Sequence, residues 1–171
     1  MKKFVLTGGL SKRMGYPKSE LKIKNRTFRE IIEKKGFIPI GSNILYNAKY
    51  DDIFPRGSSL GGIISALFYS DDKLCIIHSC DNPFISDEII KKLSNKKRST
   101  FYFIDDFIVP FPGVYEKKFL KLFIRAFKRR ELRINKILRR QKINLLKPNN
   151  EEEKILKINI NKKEIYKSIR R

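Results

Sequence analysis

Apolar positions fall in short runs along the chain, broken by glycine, proline and small polar residues, and the period of those runs switches between two and the helical repeat. The first run, Lys3 to Leu6, is the pattern of a strand buried on both faces, and it stops at Gly8-Gly9, where a long loop begins. From Thr27 the helical period takes over. Phe28, Ile31 and Ile32 share one face, Thr27 stands as N-cap with Glu30 completing a capping box, and Gly36 closes the helix. Phe37 to Ile40 is the next apolar run, handing over to the small polar residues Gly41-Ser42-Asn43. Pro55 to Gly62 is rich in turn residues and precedes a helical pattern carried by Ile63, Ile64, Ala66, Leu67 and Phe68.

Leu74-Cys75-Ile76-Ile77 has the character of a central strand, and Ser79-Cys80-Asp81-Asn82-Pro83 follows it. Ser86-Asp87-Glu88 caps an amphipathic helix through Leu93, and Ser99 to Ile104 and Phe107 to Tyr115 read as strands joined by a turn at Asp105-Asp106. Helical patterns run from Glu116 to Phe127 and from Glu131 to about Gln141, with apolar runs near Ile143 to Leu146 and Ile155 to Ile160. The polar stretch Asn149 to Glu153 is expected to be an exposed loop, and a final helix is expected from Asn161. Strands alternating with helices predict a three-layer α/β/α sandwich, Rossmann-like, with a mostly parallel sheet and a site in the loops at the strand carboxyl ends. No repeat or low-complexity linker divides the chain, so residues 1–171 are read as a single domain.

Composition narrows the picture in two ways. No apolar run approaches the roughly 20 residues that cross a bilayer, and the apolar stretch after Lys2-Lys3 meets Gly8-Gly9 too early for a secretory signal, so a soluble cytoplasmic protein is expected. The formal net charge of +21 invites a polyanion. Yet the basic residues are spread along the chain, alanine occurs only at Ala48, Ala66 and Ala126, and no nucleic-acid-binding motif is present. A compositional bias toward surface lysine accounts for the charge without a specific nucleic-acid partner. Cys75 and Cys80 match neither zinc nor redox spacing and are expected to be small buried residues; His78, without ligand-spaced partners, takes a packing role.

The informative segment is Leu6 through Leu21, LTGGLSKRMGYPKSEL. Two glycines directly after a buried strand let backbone N–H groups approach phosphate oxygens, and Lys12, Arg13 and Lys18 add positive charge. The segment is neither the nicotinamide GxGxxG nor the Walker GxxxxGK[ST], because Gly8 and Gly9 are adjacent and Lys18 stands far downstream. A basic surface turn is the alternative reading. In Cys80-Asp81-Asn82-Pro83-Phe84, the carboxylate at the strand's end suits a magnesium ion held against triphosphate oxygens, since magnesium typically takes only one or two protein carboxylates. Here the alternative is a turn that merely stops the strand.

These residues resemble a known family. A strand feeding a glycine pair, then Arg13-Met14-Gly15, then Lys18, is similar to the signature of the sugar-nucleotidyltransferase-like superfamily. Ser58-Ser59-Leu60-Gly61-Gly62 resembles the Gly-Pro-Leu-Gly-Gly loop, and Cys80 to Phe84 the Cys-Asp-x-Pro turn, of the molybdenum cofactor guanylyltransferases. Val109-Pro110 leading to Tyr115, Glu131-Leu132-Arg133 and Lys157-Ile158-Asn159 resemble that family's later segments more weakly. The chain departs from the family pattern at Ser58-Ser59, at Pro17, usual in related cytidylyltransferases, at Gly41, where asparagine is common, and at Lys157 and Asn161 in the closing motif.

The resemblance implies the nucleotide-diphospho-sugar transferase fold and transfer of GMP from GTP to a phosphate of molybdopterin or its molybdenum form, with Mg²⁺ as cofactor and pyrophosphate released. It implies that Arg13, Lys18 and Asp81 are catalytic, that Asp81 binds the metal, and that Leu6, Thr7, Gly8, Gly9, Arg13, Lys18, Asp52 and Asp81 hold the nucleotide. Asp51 is a second acid available for base recognition. Arg129, Arg130, Arg133, Arg139 and Arg140 either shape a basic wall for the anionic pterin or for a molybdenum cofactor delivery protein, or form an ordinary solvated helix face. Two rival readings stay open: another guanylyl- or cytidylyltransferase of the superfamily, acting in cobinamide or sugar-nucleotide metabolism, and a basic nucleic-acid-binding α/β protein.

Overall fold

The computed structural model describes residues 1–8, 17–41, 48–54, 58–158 and Tyr166. A six-stranded sheet runs in the order β4-β1-β5-β7-β6-β8, built from β1 (Lys2–Leu6), β4 (Ile38–Ile40), β5 (Leu74–Ser79), β6 (Thr100–Ile104), β7 (Phe107–Glu116) and β8 (Asn144–Leu146). β7 runs against both of its neighbours, while β4, β1, β5, β6 and β8 share one direction, so the sheet is mixed but mostly parallel.

Alternation within each strand produces the three layers. Phe4, Cys75, Ile77, Phe101 and Tyr115 point to one face, where they meet α2 (Ser59–Tyr69), α4 (Leu120–Lys128) and α5 (Ile134–Leu138) through Ile63, Leu67, Phe123 and Leu138. Val5, Ile76, Tyr102 and Val114 point to the other, against α1 (Phe28–Glu33), α3 (Asp87–Ser94) and α6 (Asn150–Lys157) through Ile32, Ile89, Leu93 and Leu156. With period two, successive residues of one strand serve opposite cores, which is why the inner strands read as continuous apolar runs.

Several expected boundaries hold for identifiable reasons. Thr27 accepts from the Glu30 N–H while Glu30 reaches back to the Thr27 N–H, the capping box that starts α1; Gly36, at φ 81°, releases the chain after it. Ser86 caps α3 through the Ile89 N–H. Asp105 and Asp106 turn the β6–β7 hairpin at φ 48° and 61°, a left-handed region that Asp tolerates better than most residues.

Other expectations are corrected. Within the stretch read as one long loop, β2 (Lys22–Ile23) and β3 (Arg26–Thr27) form a small antiparallel hairpin. The helix expected from Glu116 begins as a 3₁₀ turn at Lys117–Phe119, and the one expected over Glu131 to Gln141 contracts to α5. Asn149 to Glu153 is not a loop. Asn149 caps the Glu152 N–H, Glu152 returns a bond to the Asn149 N–H, and three glutamates in the first turn suit the positive end of the helix dipole, so polarity here marks the start of α6. Ile155 and Leu156, expected in a separate apolar run, belong to this helix. The expected final helix lies outside the described residues, except that Tyr166 bonds the backbone of Lys22 and packs edge-on to Phe28.

Glu152 ties α6 to the sheet as well. Its carboxylate takes both bonds from Lys92 Nζ at 3.0 Å and one from the buried Tyr102 hydroxyl at 3.3 Å. Glu152→Ala removes the cap and leaves that hydroxyl without its acceptor, so a loss of about 2 kcal/mol is expected in denaturant unfolding. An unchanged midpoint would show that α6 is held without the Glu152 carboxylate, by Leu156 and the Asn82 bond to the Ile155 carbonyl.

Candidate active site

The chain leaves β1 toward α1 and β4 on one side, and later returns to β5 on the other, so the strand order reverses at β1. Open α/β sheets bind ligands at such a switch point, outside the strand carboxyl ends. A cleft of about 150 Å³ opens there, lined by Leu6 and Gly8 after β1, Lys18, Asp52, Ser58, Ser59 and Gly62 at the start of α2, and Ser79, Cys80 and Asp81 after β5.

Each wall has a local cause. Leu6 pairs with Ile40 on one side and Ser79 on the other, and the Cys80 N–H donates to the Leu6 carbonyl at 3.3 Å, which brings the end of β5 beside the loop after β1. Asp52 arrives on a segment that extends the sheet edge. Tyr50 bridges Ile40, the Gly41 N–H donates to Tyr50 O at 3.0 Å, and the Asp52 N–H donates to Gly41 O at 3.2 Å. The Ile53 N–H, bonded to the buried Ser65 hydroxyl at 2.9 Å, fastens that segment to α2. Ser58 caps α2 through the Leu60 and Gly61 N–H groups, so Ser59-Leu60-Gly61-Gly62 is the first turn of a helix whose positive end faces the cleft. A Cβ at Gly62 would stand 3.0 Å from the Leu6 side chain, tighter than the loop can comfortably accept.

Opposite charges meet across the opening. Lys18 opens a 3₁₀ turn after Pro17, and its Nζ lies 3.6 Å from Asp81 Oδ2, with the two side chains only 17% and 22% exposed. At that distance the pair is a charge contact rather than a tight hydrogen bond. The Asp81 carboxylate is partly exposed and lines the cleft. No group of three or more His, Cys, Asp or Glu side chains that could cage a metal occurs among the described residues. A single partly exposed carboxylate facing the cleft is a donor chemistry that fits a hydrated divalent ion such as magnesium, which typically takes one or two protein carboxylates.

Of the residues expected in the site, Leu6, Gly8, Lys18, Asp52 and Asp81 share one cleft. Thr7 is beside it but buried, its hydroxyl turned to the Ile40 carbonyl at 2.8 Å. Gly9, Lys12 and Arg13 lie outside the described residues, as does Asn159. Asp51 is exposed next to Asp52 and does not line the cleft. Sequence reasoning did not single out Ser79, whose signal was its position at the end of the central strand, or recognise that the Ser58 loop is a helix N-terminus, for which Ser58 as N-cap was the sign.

Arg129, Arg130, Arg133 and Lys136 line a different groove of about 340 Å³ that also contains Glu131. The other arginines of the expected wall are engaged in the fold: Arg140 pairs with Glu131 at 3.1 Å and Arg139 donates to the Asp106 carbonyl. Lys157 likewise pairs with Asp105 at 2.8 Å and Glu153 at 2.5 Å.

Cys75 and Cys80 are free, buried thiols, and burial pushes both up to about 12, which keeps them protonated and unreactive. His78 is wholly buried. Its Nε2–H donates to the Asn82 carbonyl at 2.8 Å, Nδ1 meets no partner among the described residues, and burial lowers its pKa to about 4. The unfolded chain, with an ordinary histidine near 6.5, therefore binds more protons between those two values, and stability falls as pH drops through that window. At about pH 5 the penalty is on the order of 2 kcal/mol. Denaturant unfolding at about pH 7.5 and pH 5 should show wild type losing that much more than His78→Gln; equal losses would exclude a neutral buried imidazole.

No helix among the described residues is long and apolar enough to cross a membrane. No protein-family model matches the chain. Molybdopterin-guanine dinucleotide biosynthesis protein A from Archaeoglobus fulgidus superposes with a TM-score of 0.82 at 21% identity, over 99% of this chain and 97% of that one. The 2-C-methyl-D-erythritol 4-phosphate cytidylyltransferase of Thermus thermophilus follows the same path with a TM-score of 0.68 at 13% identity, over 99% and 98%. The sheet order and the cleft at its switch point thus define the nucleotide-diphospho-sugar transferase fold, the architecture of a class of nucleotidyltransferases. At the level of sequence, a probable molybdenum cofactor guanylyltransferase from Flavobacterium johnsoniae is 30% identical over 150 residues, 79% of this chain and 78% of its own length. The chain belongs to the molybdenum cofactor guanylyltransferase family, a family of enzymes.

Proposed function

We propose that the protein transfers GMP from GTP to the terminal phosphate of molybdopterin or its molybdenum form. The acceptor's phosphate oxygen bonds to the α-phosphorus of GTP, the bond from that phosphorus to the oxygen leading to the β-phosphate breaks, and pyrophosphate leaves with the electron pair. The observation that carries this reading is the convergence of Leu6, Gly8, Lys18, Asp52 and Asp81 with the α2 N-terminus on one cleft at the switch point.

Two polyanions must approach for this reaction, so the site's work is positioning and charge stabilisation. Gly8, which carries no side chain, lets the Asp52 carboxylate come against the loop backbone, and the α2 N-terminus adds a fixed positive dipole end that attracts phosphate. Lys18 meets the charge that grows on the departing pyrophosphate. Asp52, over Gly8, accepts hydrogen bonds from the nucleotide and orients it. Asp81 would hold Mg²⁺ against the triphosphate, and the ion would supply charge neutralisation there. Arg13 joins the triphosphate contacts in this reading.

The reading is tested by incubating the protein with Mg²⁺, molybdopterin and each labelled triphosphate in turn, following both pyrophosphate and the dinucleotide. A guanine dinucleotide formed only from GTP is the expected result. Pyrophosphate release with CTP instead would favour the cytidylyltransferase relationship suggested by Pro17, and no release with any triphosphate would remove the reading.

A further inference from the structure

Thr7, Gly8, Gly41 and Asp52 make a closed circuit that the substrate-binding roles alone do not explain. Thr7 is 2% exposed and spends both donors on one atom: its N–H and its hydroxyl reach the Ile40 carbonyl at 2.7 and 2.8 Å. The hydroxyl thereby fills the space where residue 41 would carry a side chain. A Cβ at Gly41 would collide with Thr7 Oγ1 and would also stand 2.8 Å from Gly8 N and 3.1 Å from Gly8 Cα. Gly41 then passes the alignment on, since its carbonyl accepts from the Asp52 N–H and its N–H donates to Tyr50. The circuit closes at Gly8, where a Cβ would collide with Asp52 Oδ2. The Asp52 carboxylate therefore rests directly against the backbone of the phosphate loop, at a spacing set by how closely Gly41 approaches Thr7-Gly8.

We propose that Thr7 is a positioning residue for the nucleotide, which acts through the Ile40-Gly41 backbone to hold Asp52 in register with Gly8, and that Gly41 is glycine because the Thr7 hydroxyl and the Gly8 backbone together leave no side-chain space there. This rests on the reading of the cleft as a nucleotide site. Losing the hydroxyl removes one buried bond and loosens the contact that aligns two groups on the same ligand, so it weakens binding more than it weakens the fold.

The experiment measures GTP affinity by titration with Mg²⁺ present, together with KM, kcat and melting temperature, for wild type, Thr7→Ser, Thr7→Ala, Gly41→Ala and Thr7→Ala/Gly41→Ala. Thr7→Ala should weaken GTP binding about tenfold and raise KM more than it lowers kcat. Thr7→Ser, which keeps the donor, should stay within about twofold of wild type. Gly41→Ala should lose more than Thr7→Ala, because its Cβ meets the Gly8 backbone as well as Thr7 Oγ1, and the double variant should lose less than the product of the two single losses, because both changes loosen the same contact and the Oγ1 part of the collision is relieved. Wild-type affinity in Thr7→Ala, or strictly multiplicative losses in the double variant, would overturn the inference while leaving the nucleotide site standing. If Gly41→Ala does not fold, the Thr7→Ser and Thr7→Ala pair decides alone. A wild-type protein that binds no GTP would overturn both the site reading and this inference.

Discussion

Asp81→Asn is expected to lower nucleotidyl transfer by at least about 100-fold with little change in melting temperature. The carboxylate stands two residues past β5, at the sheet end where the loops after β1 and β5 meet, and it lines the cleft beside Lys18. Lysines and a helix dipole attract phosphates but cannot fix their oxygens relative to one another, whereas a divalent ion shared between protein and triphosphate can. Asparagine keeps the size and much of the hydrogen-bonding shape of Asp81 and removes the charge. The fold should tolerate that change, because the surrounding turn is held by other bonds: the Asn82 side chain donates to Ile155 O at 2.7 Å and accepts from the Phe84 N–H at 3.1 Å. The informative measurement is transfer rate across a magnesium titration. The variant should require far more magnesium or fail to saturate, and near-wild-type turnover at low magnesium would take Asp81 out of the mechanism.

How much of this could be read along the chain depends on how local the cause is. The α1 capping box, the Ser86 cap and the Asp105-Asp106 turn are each decided by residues within a few positions of one another, and all three were legible. The start of α6 is equally local, but there the capping-box spacing of Asn149 and Glu152 is masked by an unbroken polar run through Glu153, which by composition alone suits a loop as well as a first helical turn. The β2–β3 hairpin could not be found that way: each strand has two residues, too few for any period, and the Lys24 turn takes φ 45° without a glycine to announce it.

The site divides along the same line. Gly8, Lys18 and Asp81 were legible because their motifs are short and chemically distinctive, and the fold brings them to one cleft. What stayed hidden is the lacing between segments far apart in sequence. Thr7 and Gly41 are small residues with no chemical signature, and only the parallel pairing of β1 with β4 shows that one hydroxyl occupies the other's side-chain space. The basic residues show the converse case, and for two of them the structure agrees with an ordinary solvated face. Arg139 and Arg140 stand out in the sequence, but the structure uses them to fasten α5 to Asp106 and to Glu131.

Lys18 carries the second large expected effect, and it differs in kind from that of Asp81. The Lys18 ammonium, mostly buried and 3.6 Å from Asp81 Oδ2, faces the same cleft as Gly8 and the start of α2. If it meets charge that increases as pyrophosphate departs, its removal raises the transition state more than the bound ground state. Lys18→Met, which keeps the length and apolar stem, should therefore lower kcat by about 10- to 100-fold while KM for GTP moves by only a few-fold. The same substitution strips Asp81 of its neighbouring cation, so the magnesium concentration needed for half-maximal activity should fall rather than rise, opposite to Asp81→Asn. Lys18→Arg keeps the charge, but its planar fork is larger and differently shaped, and in a cleft of about 150 Å³ it should recover only part of the lost turnover. Steady-state kinetics over GTP and magnesium, with melting temperature as the control for folding, separate these outcomes. A Lys18→Met enzyme with a large rise in KM and an unchanged kcat would make Lys18 a ground-state phosphate anchor, and wild-type kinetics would place the reaction away from this cleft.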